Sequence, residues 1–290
     1  MQASIKSKIA LLRPHHWLKN LFIFAPLFFT PRLMNLSDLL LTLLGFISFS
    51  CVASGIYVLN DLLDRKADRL HPDNSSRPLA ASLVSVQSAI TMIIILLSLG
   101  LLLAVFLDRH FSEIVLTYLL LNIFYCLYLK HISIIDILTI SLSFILRVFA
   151  GAMLINITPT VWILVCTGLL ALFLATAKRR NDLVQQLDEE HRQSLGGYTL
   201  QFLDVLLIVV ISILLGAYTI YTTDPLVMRH LGNDHIYLTA PLVFAGIMRY
   251  CQIIYVEQQT LSPTLVCITD RFIRTVVFAW IVSFILLLYT

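Results

Sequence analysis

Charge is what this chain has least of. Asp, Glu, Lys and Arg make up 13% of its 290 residues, about half the roughly 25% of a soluble domain. With 59% hydrophobic residues and a mean hydropathy of +0.88, a water-soluble globule and a disordered chain are both excluded. There is no CxxC pair: Cys51, Cys126, Cys166, Cys251 and Cys267 fall singly in apolar segments and read as packing residues. No P-loop pattern is present, and His15, His16, His71 and His131 lack metal-ligand spacing. A net charge of +3, scattered along the chain, does not make a nucleic-acid binder. A cleavable signal peptide is not expected either. Lys19 interrupts the first apolar run, and Pro26 and Pro31 follow without a small-residue cleavage site.

What is present is a series of apolar runs. At about 20 residues per crossing, the length accommodates nine spans and no second, soluble domain. The clearest are 39–60, 85–107, 114–129 and 205–223. Residues 148–177 are thirty uncharged positions, too many for one helix, and Asn156-Ile-Thr-Pro159 supplies a break between 133–155 and 160–177. Residues 18–33, 236–256 and 272–290 complete the nine. All should be helical, because an isolated segment in lipid satisfies its own backbone only as a helix. The expected fold is therefore all-α, a nine-helix bundle in one transmembrane domain covering 1–290.

Lys and Arg orient it. Fifteen of the twenty lie at the N-terminus or after spans two, four, six and eight, three on the other side (Arg32, Arg109, Arg229), and Arg147 and Arg249 inside spans. By the positive-inside rule the N-terminus and the fifteen-charge loops are cytoplasmic and the C-terminus is outside.

The end of the second span is the most informative stretch: Asn60-Asp61-Leu-Leu-Asp64-Arg65-Lys66-Ala-Asp68-Arg69, then Arg77-Pro78. Asp61, Asp64 and Asp68 are spaced i, i+3, i+7, so one helix would stack them on one face. Three carboxylates there repel unless a cation intervenes, and hard oxygen ligands without His or Cys favour Mg²⁺. Asn60, Asp61, Asp64 and Asp68 are thus the candidate metal ligands and catalytic residues; the plainer reading is a solvated helix end of mixed charge.

The NDxxDxxxD pattern resembles the first aspartate-rich motif of the UbiA-type intramembrane prenyltransferase superfamily. The resemblance implies a nine-helix bundle with a cytoplasm-facing, lipid-open cavity in which Mg²⁺ binds a diphosphate. Most members have a second acidic motif, expected after the fourth span, where this chain reads Tyr125-Cys-Leu-Tyr128-Leu-Lys130-His131 and on to Asp136, with one acid and a lysine. Arg147 and Ala177-Lys178-Arg179-Arg180-Asn181-Asp182 follow. A carboxylate half binds phosphate through metal, a basic half directly, so two phosphorylated substrates explain the asymmetry.

That pattern is similar to the decaprenyl-phosphate phosphoribosyltransferase branch. The matching pieces are Arg13-Pro14-His-His-Trp17-Leu-Lys19-Asn20, the acidic stretch with Arg77-Pro78, Tyr125 to Asp136 with Arg147, Lys178-Arg179, Arg249-Tyr250, Ser262-Pro263-Thr264 and Asp270-Arg271. One departure is Asn74, where the branch usually has lysine. The resemblance implies transfer of phosphoribose from 5-phosphoribosyl 1-diphosphate to a polyprenyl phosphate in a bacterial-type inner membrane, toward a lipid-linked arabinose donor. Its implied substrate-binding residues are Lys19, Asn20, Arg77, Tyr125, Lys130, Asp136, Arg147, Lys178 and Arg179. Implied partners are these two substrates, the membrane and at most a second copy of the chain, with no nucleic acid. The alternatives are a prenyltransferase acting on an aromatic acceptor, which predicts a second acidic cluster, and a lipid flippase, which does not explain acids gathered in one loop.

Overall fold

The computed structural model describes residues 4–70, 74–185, 193–258 and 263–289. Its regular elements there are helices: α1 Ile5–Leu12, α2 Leu36–Leu63, α3 Val86–Leu107, α4 Arg109–Leu127, α5 Ile135–Leu154, α6 Val161–Val184, α7 Leu200–Thr223, α8 Ala240–Tyr255 and α9 Arg271–Tyr289. Among the described residues eight helical segments, α2 to α9 with a short 3₁₀ lead-in to α8, are long and apolar enough to cross a bilayer. This is the all-α, multi-pass architecture expected.

The first apolar segment differs from the rest. Residues Pro14–Phe24 form a 3₁₀ helix, followed by one α-turn at Ala25–Phe28. Polar side chains within it turn inward to bond α2, and Ile23 brings its backbone so close to Gly151 that a Cβ there would stand 1.9 Å from the Ile23 carbonyl oxygen. The break after α5 falls as expected, with Asn156 at φ 51.

Caps fix the remaining ends. Asn35, Ser85, Thr160 and Thr199 each accept backbone N–H bonds at the start of α2, α3, α6 and α7. Asp108 ends α3 and caps α4 in an extended conformation, which makes that connection a single residue.

The chain forms two compact units. The first comprises Met1–Phe28, Arg32–His131 and Leu146–Pro159; the second comprises Phe29–Pro31, Ile132–Ile145 and Thr160–Thr290. In the first, α2 and α3 pack through small residues. Ser48 donates to the Gly100 carbonyl at 2.7 Å, and a Cβ on Gly100 would meet Val52 at 2.6 Å. In the second, α6 and α7 enclose Phe173, Leu207 and Val210 beside Tyr250 and Ile253 of α8.

Candidate active site

In the first unit the N-terminal segment is laced antiparallel along one face of α2. Asn20 Nδ2 donates to Ser50 Oγ and Trp17 Nε1 to Ser54 Oγ, both at 3.0 Å, while Ser54 Oγ donates to the Leu12 carbonyl. Arg13 lies over the Tyr57 ring and places Nη2 2.5 Å from Asp61 Oδ1. Positions 50, 54, 57 and 61 recur at i, i+4, i+7 and i+11, one helical face. The 3₁₀ geometry explains how the seven steps from residue 13 to residue 20 keep pace with the eleven from 50 to 61. At about 2.0 Å per step they rise about 14 Å, against about 16.5 Å for eleven α-helical steps at about 1.5 Å.

That face ends at the acids. Asn60 and Asp61 occupy the last turn of α2, Asp64 caps it, and after a bend Arg65–Asp68 forms a separate turn of helix. The expected single stack of three carboxylates is therefore corrected: the helix stops between them, and bases separate the charges. Arg77 Nη1 lies 2.8 Å from Asp68 Oδ2 and 3.4 Å from Asp61 Oδ1. A 3₁₀ turn at Asn74–Ser76 returns Arg77 to the acids, and Arg69 secures the following stretch through the Ala80 carbonyl and Ser82. From the 3₁₀ turn Leu129–His131, Lys130 places Nζ 2.5 Å from Asp64 Oδ1 and 3.5 Å from Asn60 Oδ1. Lys130 thus belongs with the acids rather than with a separate basic half. Among the described residues no three His, Cys, Asp or Glu side chains converge as a metal cage. The donor set of Asn60, Asp61, Asp64 and Asp68 is nonetheless all oxygen and suits a hard divalent ion.

Deeper in the same unit, Arg147 of α5 is 3% exposed. Its Nε donates to Asn20 Oδ1 and its Nη2 to Tyr118 OH, both at 2.9 Å. The guanidinium lies 4.8 Å from the Tyr118 ring centroid and 5.4 Å from that of Phe49. Arg147, expected to hold a phosphate, here joins α5 to α4 and the N-terminal segment. Lys19 is half-buried, and Tyr125 is half-buried against the core cluster of this unit.

The second unit has its own buried polar centre. Asp136, fully buried at the start of α5, receives Arg179 Nε at 2.6 Å, Tyr198 OH at 2.7 Å and Ser194 Oγ at 3.3 Å. Arg179 also reaches Asp182 at 2.7 Å. Tyr198 accepts the Ile134 N–H, and Ile134 sits at φ 70, where a β-branched residue is a genuine outlier. Burial, then the bond to Asp136, pushes the Tyr198 hydroxyl pKa up. Asp136 and Arg179, both expected at the substrate, hold each other and pin Gln193–Gly197, while Lys178 beside them is exposed. Arg249 pairs with Asp270 at 2.8 Å and Glu257 at 2.5 Å, a structural ion pair. His71 and Ser262 lie outside the described residues.

Several participants escaped the sequence reading. Arg13 carried a signal in the Arg-Pro-His-His-Trp stretch but was given no site role, and Ser50, Ser54, Tyr118 and Tyr198 carry none in linear sequence. A second group of acids lies beyond residues 125–136. Asp182 stands in the last turn of α6, and Asp188, Glu189 and Glu190 come after it in sequence, outside the described residues.

Comparison with known proteins agrees with this architecture. Residues 21–266 match the UbiA prenyltransferase family. The chain is 36% identical over 173 residues to the nodulation protein NoeC of Azorhizobium caulinodans, covering 60% of this chain and 56% of that protein. It therefore spans little more than half of that relative's length. It is 28% identical over 290 residues to the decaprenyl-phosphate phosphoribosyltransferase of Corynebacterium glutamicum, covering 97% of this chain and 86% of the relative. A UbiA homolog from Archaeoglobus fulgidus, solved bound to GPP and Mg²⁺, superposes with a TM-score of 0.73 at 20% identity, covering 98% of this chain and all of that one. With its apolar helices, its acid-bearing end of α2 and a family match over most of its length, this multi-pass membrane chain belongs to the UbiA prenyltransferase family.

Proposed function

We propose that this chain is a polyprenyl-phosphate phosphoribosyltransferase that uses 5-phosphoribosyl 1-diphosphate and Mg²⁺, toward a lipid-linked arabinose donor. The observation that carries the reading is the cluster at the end of α2, where three aspartates each meet a cation from a different segment: Arg13, Arg77 and Lys130. Such a set offers oxygen ligands for a metal and basic groups for phosphate oxygens together. The likeness to the Corynebacterium glutamicum phosphoribosyltransferase over 97% of the chain supports it.

Asn60, Asp61, Asp64 and Asp68 would hold the ion, which when bound neutralises the charge of a diphosphate leaving group. Arg77 and Lys130, with Lys19, are assigned to the donor's phosphates. Asn20 is held by Ser50 and Arg147 and acts by keeping the Arg13–Asn20 segment against α2. In the transfer the bond from ribose C1 to the diphosphate oxygen breaks and a bond from C1 to an oxygen of the lipid phosphate forms. The diphosphate leaves with the electron pair. A lipid phosphate is already ionised at neutral pH, so no general base is required, and attack opposite the leaving group converts an α-configured donor to a β-linked product. Lys178 is assigned to the lipid phosphate. The distribution of Lys and Arg supports a bacterial inner-membrane orientation with the N-terminus and acids on the cytoplasmic side.

A second reading, transfer of a prenyl chain from a prenyl diphosphate to an aromatic acceptor, is favoured by the four acids among residues 182–190. Incubating purified protein and Mg²⁺ with polyprenyl phosphate and labelled phosphoribosyl diphosphate, or with labelled prenyl diphosphate and an aromatic acid, separates the two. Labelled lipid from the first mixture alone supports phosphoribosyl transfer; product from the second alone overturns it.

A further inference from the structure

We propose that Lys130 is a built-in competitor of the metal: its ammonium neutralises Asp64 and bonds the Asn60 side-chain oxygen until a divalent ion and a diphosphate arrive together. This rests on the metal-dependent reading above.

The geometry supplies the argument. Lys130 Nζ lies 2.5 Å from Asp64 Oδ1 and 3.5 Å from Asn60 Oδ1, so it stands on two of the oxygens a metal would take. Mg²⁺ needs such oxygens at about 2.0 to 2.1 Å; a carboxylate has lone pairs for both, but an ammonium ion at hydrogen-bonding distance from the same oxygens repels the incoming dication. Lys130 therefore opposes the ion until it turns away from Asp64. It is only 9% exposed, so leaving Asp64 without another anion in reach costs a buried charge its partner. A diphosphate oxygen supplies that anion. Lysine suits the exchange: its charge is compact and its four-carbon stem swings, whereas Arg13 and Arg77 are planar forks on Asp61 and Asp68. Metal binding alone is then weak, diphosphate strengthens it, and by linkage the metal strengthens diphosphate binding equally. Lys130 thereby works in opposite directions on the two ligands, opposing the metal and favouring the donor.

The test uses the full-length protein in detergent without diphosphate, with Mn²⁺ as the spectroscopically visible stand-in for Mg²⁺. Lys130→Met and Lys130→Gln should each bind Mn²⁺ roughly ten- to a hundred-fold more tightly than the unaltered protein, the worth of one charge-assisted hydrogen bond, while raising the KM for the sugar donor. A misfolded variant would lose both affinities. In the unaltered protein, Mg²⁺ raised to a concentration that saturates the site without diphosphate should increase modification of Lys130 by an amine-reactive reagent, read by mass spectrometry against exposed Lys66 as the reference. Folded variants that bind Mn²⁺ no more tightly, or Lys130 modification that Mg²⁺ leaves unchanged, overturn the proposal. Asp64→Asn keeps this failure apart from failure of the underlying reading. If it weakens Mn²⁺ binding while the Lys130 variants do not tighten it, the lysine proposal alone falls. If it leaves Mn²⁺ binding untouched in every background, the metal site itself is wrong.

Discussion

Arg13 and Asp61, 48 positions apart in sequence, are joined by a 2.5 Å ion pair in which Asp61 is 2% exposed. Arg13 makes it from the left-handed region of backbone space, at φ 50 and ψ 60. There a side chain costs about 1 to 2 kcal/mol, so the pair offsets local strain and at the same time fixes the N-terminal segment to the end of α2.

Two substitutions of Arg13 separate these effects. Arg13→Ala should lower stability by about 1 to 3 kcal/mol, less than the roughly 3 to 5 of a fully orphaned buried charge, because Arg77 remains 3.4 Å from Asp61. Arg13→Gly loses the same ion pair but relieves the backbone, and should recover about 1 kcal/mol of that loss. Denaturant unfolding in detergent micelles gives the ranking; alanine at least as stable as glycine would refute the strain.

For catalysis, Asp64→Asn is the cleaner acid variant, because it preserves shape and leaves the Arg13–Asp61–Arg77 contacts in place. Transfer to polyprenyl phosphate should fall at least about a hundred-fold, the larger end of a charge-assisted contact. EDTA should abolish transfer by the unaltered protein. Full turnover in either case removes the metal from the mechanism.

Arg147→Met tests the reassignment of that residue to the core. It leaves the Asn20 and Tyr118 oxygens without their donor, and the loss in stability should be about 2 to 4 kcal/mol. Folded enzyme that remains should keep its KM for polyprenyl phosphate. A selective rise in that KM at unchanged stability would return Arg147 to the substrate.

In the second unit, Tyr198→Phe deletes a hydroxyl that donates to Asp136 and accepts from the Ile134 N–H. The expected cost is about 1 to 3 kcal/mol for the buried groups left unsatisfied. Faster hydrogen exchange at residues 132–136 and 193–198 should accompany it. Unchanged protection there would mean that the latch does not hold those segments.

Orientation is tested by cysteines at two exposed positions on a background in which the native cysteines are replaced. Lys66→Cys should be protected from an impermeant thiol reagent in intact cells, and Asp234→Cys should be labelled. The reverse pattern would put the acids on the outer side.

The linear sequence determined the features that depend on local composition. Apolar runs of about twenty residues, Pro159 after Asn156, and caps such as Asn35 and Thr160 place helices because each helix satisfies its own backbone and meets lipid wherever it lies. The acids at 60–68 were legible for the same reason: three at helical spacing close an apolar run, and the chain brings them together itself. Which cation meets which acid was not legible. Arg13 with Asp61, Lys130 with Asp64 and Arg147 with Asn20 join positions 48, 66 and 127 apart. Charge acts through space, and only the packing of α2, α4, α5 and the N-terminal segment brings these groups within hydrogen-bonding reach. Packing also explains the 3₁₀ helix at Pro14–Phe24. Hydropathy reads that segment as one more span, whereas its side chains bond every third or fourth residue of α2 and its backbone rests on Gly151, contacts that exist only once the partner helices are in place.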